Sequence, residues 1–440
     1  MQAKNDKRTI RAWAMFDWAN SAYNLVITST IFPAYYVAIT ANAANGNKVS
    51  FFGHSFVNTA LSDYALAVAY MIMVLLLPIL SSIADYRGNK KVFMQFFTLL
   101  GSAACCGLFF FNSNRLELGI ICFALAAIGY SGGFVFYNSY LPEIATVDMQ
   151  DKVSAKGFTY GYIGSVLLQL ICFAFVLKPE LFGITNKSLP AQISFLLVGI
   201  WWIGFAMIPF SVLPKGSPNA QTHQHHIIKG GFIELGKVWM KIKSMPLLKR
   251  YLPAFFFYSM GVQTIMLVAT GFAAKELKME TSALITIILI IQIVAVVGAT
   301  LMSRLSDKFG NVKVLILTVA IWVAVCIAAY YTTTAKQFYI VAVIVGLVMG
   351  GIQSLSRSTY SKYLPENLSD TASFFSFYDV TEKLAIVGGL FSFGFIEELT
   401  GSMRNSTLVL CGFFVIGLIL LLNLLTAERK VKKNSEFSGV

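Results

Sequence analysis

Ser81-Ser82-Ile83-Ala84-Asp85-Tyr86-Arg87-Gly88-Asn89-Lys90-Lys91-Val92 lies between two long apolar runs. It has an echo 222 residues later in Ser303-Arg304-Leu305-Ser306-Asp307-Lys308-Phe309-Gly310-Asn311-Val312-Lys313-Val314. Ser, Asp, Gly, Asn and Lys recur in the same order at 81/303, 85/307, 88/310, 89/311 and 91/313. A second landmark, Tyr140-Leu141-Pro142-Glu143, returns as Tyr363-Leu364-Pro365-Glu366 at an offset of 223. Polar turns repeated at one offset between apolar runs indicate an internal duplication.

The flanking sequence says what is duplicated. The chain has 440 residues, 57% hydrophobic and 12% charged, with a mean hydropathy of +0.69. Soluble domains carry roughly 25% charged residues, so this is an all-α polytopic membrane protein. A bilayer core takes roughly 20 helical residues to cross. On that criterion twelve spans are expected near 14–40, 61–83, 91–111, 117–139, 155–177, 191–213, 251–273, 281–302, 312–331, 336–358, 374–396 and 406–426. The longest connection divides the chain into an N-terminal half (1–213), a linker (214–250) and a C-terminal half with a basic tail (251–440). The linker holds Pro214, Pro218, the group His223, His225 and His226, and an amphipathic stretch around Phe232–Trp239 that should lie on the membrane surface. The histidines read as a polar loop with no metal role. The six cysteines fall within apolar spans and read as packing residues. The N-terminus lacks a small-residue cleavage site and is expected to be a retained first helix.

Of the 34 Lys and Arg, 25 fall in segments that lie on one side when the N-terminus is inside, and eight fall on the other. With an even number of spans, this bias puts both termini in the cytoplasm. The basic excess therefore reports topology and calls for no nucleic-acid partner.

The duplicated turn, set after the second span of each half, resembles that of the major facilitator superfamily. The resemblance covers 12–426 and implies two six-helix bundles around a central cavity. The second copy departs from the pattern at Phe309, where a basic residue is usual, and at Leu305. A narrower resemblance rests on Ala12-Trp13-Ala14-Met15-Phe16-Asp17-Trp18-Ala19-Asn20-Ser21-Ala22-Tyr23, Gly350-Gly351-Ile352-Gln353-Ser354-Leu355-Ser356-Arg357-Ser358 and Phe374-Phe375-Ser376-Phe377-Tyr378. These are similar to the branch that includes the fungal vacuolar amino-acid effluxers and many bacterial relatives. That likeness implies a bacterial inner-membrane protein, a small-molecule substrate and export.

Candidate site residues follow from the cost of polarity in lipid, roughly 2.5–3.5 kcal/mol for a charge at mid-helix. In span one, Asp17, Asn20, Ser21, Asn24 and Thr28 recur at steps of three and four and share one face. Such a stripe either lines a watery cavity or joins helices. Asp17, nearer the membrane edge, either lines the cavity, pins a cytoplasmic gate or caps a neighbouring helix. Span eleven holds Asp379, Glu382 and Lys383, with Asp379 and Lys383 four apart in the favourable order. They read either as substrate or coupling-ion groups or as a structural ion-pair network. Tyr160, Tyr162, Ser165 and Gln169 occupy the matching span of the first half. A zwitterionic solute could therefore be held between the charges of span eleven and those tyrosines. Ser131, Asn138 and Gln353 are secondary candidates, while Gln263 and Gln292 could join helices. Glu143, Arg357, Asp85, Arg87 and Asp307 lie at cytoplasmic ends and are expected to form the charge network of an inner gate.

No hydrolytic or redox site is visible, and the Gly132-Gly133 and Gly350-Gly351 pairs lack the Gly-Lys-Ser/Thr of a phosphate loop. The reading is a monomeric secondary transporter without a cofactor, driven by a proton or sodium gradient. The alternatives are a sensor or assembly protein that keeps the fold, or a passive channel.

Overall fold

The computed structural model describes residues 4–42, 47–215, 227–365, 368 and 370–437. The histidine group of the linker and Glu366 lie outside the described residues. Eleven helical segments among those described are long and apolar enough to cross a membrane. The first half contributes α1 (Lys7–Ala22), α2 (Ile31–Thr40), α3 (Asn58–Arg87), α4 (Lys90–Gly107), α5 (Leu116–Ser139), the short α6 (Leu141–Ile144), α7 (Gln150–Leu177) and α8 (Leu189–Val212). A linker helix, α9 (Ile227–Ser244), precedes α10 (Pro246–Glu276), α11 (Thr281–Phe309), α12 (Asn311–Tyr331), α13 (Ala335–Lys362), α14 (Thr371–Thr400) and α15 (Met403–Phe437). The helix α14 is 30 residues long, and its charged residues alone keep it out of the eleven.

Local sequence accounts for the helix ends. Asp6 caps α1 by accepting from the Thr9 N–H at 2.8 Å. Thr334 and Gln337 form a capping box at the start of α13. Gly88 and Gly310, shared by both copies of the turn, have φ of +63° and +88°. A side chain would strain the backbone there. Close helix contacts use glycine as well: a Cβ on Gly350 would lie 2.1 Å from the Ala295 carbonyl oxygen, so α13 and α11 meet backbone to backbone.

Span one departs from the expected continuous helix. After Ala22 the chain widens into a π-helical turn over Tyr23–Thr28 and breaks at Thr30 before α2 begins. The wider turn rotates everything beyond it, so Thr28 does not continue the stripe begun at Asp17. Most other helices run beyond their expected ends, and α15 extends to Phe437 instead of stopping near 426. The connection before α3 also holds a two-stranded hairpin, Lys48–Phe51 with His54–Val57, which the helical reading omitted. Its two-residue turn, Phe52-Gly53, has positive φ at both positions.

Between the halves, α3 and α5 pack on α14, and α7 packs on α11 and α13. The linker helix α9 touches α3 of the first half and α10 and α14 of the second.

Candidate functional site

Two levels of polar contact join the halves. The first lies on the face that carries the basic turns. At its centre, Arg357 of α13 reaches across to the first half. Its Nη1 lies 3.3 Å from Asp17 Oδ2 and 3.0 Å from Asn138 Oδ1. Its other nitrogens donate to the Ser154 hydroxyl and carbonyl at 3.0 and 2.8 Å. Tyr137 donates to the same Asp17 oxygen at 2.6 Å. Both charged side chains are buried, at 1% and 2% exposure. The guanidinium also lies over the rings of Phe158 and Trp13, at 4.2 and 4.8 Å. Arg suits this place because its planar group can satisfy a carboxylate, an amide and a carbonyl at once while stacking on aromatic faces. A glycine makes room for it: a Cβ on Gly157 would fall 2.6 Å from Asp17 Oδ2 and 2.9 Å from Arg357 Nη2.

The duplicated turns flank this pair. Asp85, at the end of α3, accepts from the backbone N–H groups of Ala372 and Ser373 at 3.2 and 2.7 Å, and from the Ser373 hydroxyl at 2.7 Å. These are free donors of the first turn of α14, where an anion is also favoured by the helix dipole. Glu143 beside it bonds Lys90 and accepts from Thr371 at 2.8 Å. On the other flank, Asp307 pairs with Lys152 at 3.0 Å. Asp151, at the start of α7, binds Lys362 at 2.5 Å, Asn311 at 2.7 Å and Ser306 at 3.1 Å. This face of the molecule is closed.

The second level lies deeper along α14. Lys383 sits about 18 Å from the start of that helix, at roughly 1.5 Å per residue. It pairs with Asp379 at 3.3 Å, and both side chains are buried. Asp379 also has the Ser131 hydroxyl of α5 at 3.4 Å, and the Lys383 ammonium lies 5.1 Å over the Tyr70 ring of α3. Half-buried Glu382 accepts from Gln263 of α10 at 2.7 Å. Nearby, Tyr162 donates to Gln353 at 2.5 Å, joining α7 to α13.

The expected site residues thus separate into groups. Asp17 belongs to the Arg357 pair on the closed face. Ser21 lies against Gly161 of α7, whose Cβ would fall 2.5 Å from the serine oxygen. Asn20 is fully buried with neither end of its amide bonded. It shares a face with Phe16, which stacks on Tyr137, and with Tyr23, which packs at a tilt against Tyr130 and Trp202 inside the first half. Asn24 falls within the π-helical turn and is half-buried. Tyr160 packs edge-on to Trp18 at 6.5 Å and lies under Lys156, apart from the α14 charges. Gln169 accepts from Thr30 at 2.8 Å and joins helices of the first half. The gate residues also divide differently from expectation. Arg357 and Glu143 share no partner, and Arg87 is exposed and enters none of these contacts.

Spans five and eleven make their contacts with the other half at different places: α7 meets α11 and α13, while α14 meets α3 and α5. The aromatic ring over the charges is therefore Tyr70, which an otherwise apolar span hid in the sequence. In the sequence Lys152 and Lys362 carry only a topology signal, Lys90 and Asn311 stand out only as parts of the duplicated turn, and nothing sets Asp151 apart. The signal that could have raised Asn311 is its position inside the duplicated turn.

Known proteins agree with this architecture. The sequence matches the family described as "Vacuole effluxer Atg22 like" over residues 5–435. It is 33% identical over 411 residues to the uncharacterized MFS-type transporter YxiO of Bacillus subtilis, covering 93% of each chain. It is 26% identical over 469 residues to autophagy-related protein 22 of Kluyveromyces lactis, covering 94% of this chain and 92% of that one. The proton:xylose symporter XylE superposes with a TM-score of 0.72 at 12% identity, over 94% of this chain and 95% of the other. The human organic anion transporter MFSD10 does so with a TM-score of 0.70 at 10% identity, over 95% of this chain and 100% of the other. The chain belongs to the vacuole effluxer Atg22-like family, and it is a membrane transporter built on the major facilitator fold.

Proposed function

We propose that the chain is a monomeric secondary transporter that moves a small polar or zwitterionic solute by alternating access, coupled to a proton or sodium gradient. The observation that carries this reading is the buried Asp379–Lys383 pair, with Glu382 one residue away, at depth between the halves. A pair this far from water is costly to desolvate, and well-packed apolar residues would hold two helices at least as well. An ionic solute, or a proton on one carboxylate, can compete for one member of the pair. An amino acid, with one carboxylate and one ammonium group, fits such a set of two acids and a base. Efflux is the direction that the family description supports.

In this reading the basic face is cytoplasmic, the membrane is a bacterial inner membrane, and residues 1–213 and 251–440 are the moving halves joined by 214–250. The contacts of Arg357, Asp85 and Asp151 would break and reform as the halves rock. The positive-inside bias supports this orientation. Cysteines placed at exposed Arg87 and Lys308 should react with an impermeant thiol reagent only from the cytoplasmic side.

The deciding experiment is solute flux in sealed vesicles with proton and sodium gradients imposed separately. It compares the wild type with Asp379→Asn/Lys383→Gln at equal amounts of folded protein. The double variant should fold, since both charges leave together, yet lose gradient-driven flux. Full gradient-driven flux in that variant would make the pair structural and overturn the coupling role.

A further inference from the structure

An open cleft of about 340 Å³ lies at the junction of α9, α10 and α15 on the basic face, away from the interface between the halves. It is lined by Lys243, Ser244, Lys249 and Arg250 from the end of α9 and the start of α10, and by Leu420 and Asn423 of α15. Lys249 and Arg250 are exposed and have no ion-pair partner among the described residues. Lys243 lies 5.2 Å over the Trp239 ring and pairs with no carboxylate there either. Three cations thus converge on one cleft, with no anion among the described residues to balance them.

Apolar surface continues directly from the cleft. On α15, Ile416 and Ile419 lie one turn before Leu420 and Asn423 and are 40% and 59% exposed. On α9, Trp239 and Met240 are 47% and 64% exposed. An amphipathic helix with such a face lies at the boundary between headgroups and acyl chains. The cations therefore sit at headgroup level, with lipid-facing helix directly beyond them.

We propose that this cleft binds the phosphodiester headgroup of an anionic phospholipid, whose acyl chain runs along the exposed face of α15. Unbalanced cations favour a headgroup with net negative charge over a zwitterionic one, because the latter brings its own ammonium group. The bound lipid also has a mechanical consequence. The helix α9 touches α3 in one half and α14 in the other, and it is tied to the second by the Lys241–Asp370 pair at 2.5 Å and by Trp239 stacked on Phe377 at 6.0 Å. A lipid anchored at Lys243 therefore holds in place the helix that bridges the halves on the closed face. This inference does not depend on which solute is carried.

The test uses the full chain in nanodiscs of phosphatidylcholine with and without phosphatidylglycerol, and reads lipid retained on the protein by native mass spectrometry. The wild type should retain phosphatidylglycerol over phosphatidylcholine. The variant Lys243→Gln/Lys249→Gln/Arg250→Gln should weaken that preference by about a hundredfold, the factor three surface cations supply. Charge-preserving Lys249→Arg/Arg250→Lys should keep it, and so should Lys7→Gln/Arg8→Gln at the exposed start of α1, in the other half. Equal loss in the α1 variant would mean general surface charge and overturn the site. Equal retention of both lipids by the wild type would do the same. Inorganic phosphate and glycerol phosphate serve as soluble probes in thermal-shift measurements. If either stabilises the wild type as much as phosphatidylglycerol does, the ligand is a soluble phosphate and the lipid assignment falls. All three substituted residues are exposed, so the triple variant should fold. If it does not, Arg250→Gln alone should still show a partial loss, and none there would overturn the proposal.

Discussion

The two copies of the duplicated turn dock on matching places in the opposite half with the charges reversed. In the first copy the acid is on the turn: Asp85 takes the free N–H groups of α14. In the second, the buried acid belongs to the opposing helix: Asp151 of α7 takes donors from Ser306 and Asn311 of the turn. The turn's own Asp307 is left to a more exposed pair with Lys152. The cause lies in how the opposing helices begin. The first turn of α14, Thr371-Ala372-Ser373, has no acid, so its donors and positive dipole end are open to Asp85. The start of α7 carries Asp151 in its first turn, so that end already has a negative charge beside its dipole, and the acid turns outward to Ser306, Asn311 and Lys362. Duplication preserved the position of the contact, and the neighbour chose its chemistry.

The largest effect expected from any test of this face is at Arg357, between the two docking points. Arg357→Leu strands Asp17 in a buried site and should cost about 3–5 kcal/mol, the range for breaking a buried pair. Adding Asp17→Asn should recover part of that loss, read by equilibrium unfolding in mixed micelles. No recovery would mean that Arg357 acts through its aromatic contacts and not through the acid.

The comparison itself is tested at the two aspartates. Asp85→Asn should cost about 1.5–3 kcal/mol, as for hydrogen bonds to a charged group. It should also speed amide exchange at Ala372 and Ser373. Asp307→Asn, at a partly exposed pair, should cost only about 0.2–1 kcal/mol and leave those amides unchanged. Equal losses would show that the two turns are chemically equivalent after all.

A subtler difference separates the two glycines. Gly88 has φ +63° and ψ +30°, ordinary left-handed geometry that asparagine also adopts. Gly310 has φ +88° and ψ +149°, a region nearly closed to other residues. Replacing each by Asn should leave the first copy almost unchanged and destabilise the second by about 1–3 kcal/mol. Equal tolerance would mean that the second turn can relax.

Some contacts were legible because they lie within one element. The 3.6-residue period places Asp379 and Lys383 on one helix face whatever surrounds them, and their 3.3 Å contact follows from that spacing. The spans and the repeat were legible for a similar reason, since hydropathy and turn chemistry are written residue by residue. Other readings failed where a helix left its ideal path. The π-helical turn after Ala22 ends the stripe drawn through Thr28, and no residue type in Tyr23–Thr28 announces it.

By itself the sequence determined an all-helical membrane protein with two related halves, the position of each polar turn, and a charged pair deep in one helix. Only the tertiary structure decided that Arg357 finds Asp17, 340 residues away, that Asp151 takes the part Asp85 plays on the other flank, and that α14 faces Tyr70 and not Tyr162. Periodicity is a property of one chain segment and survives in any context. Which helix faces meet across an interface depends instead on many weak packing contacts summed over both halves. Each charge then bonds whatever that packing brings within reach.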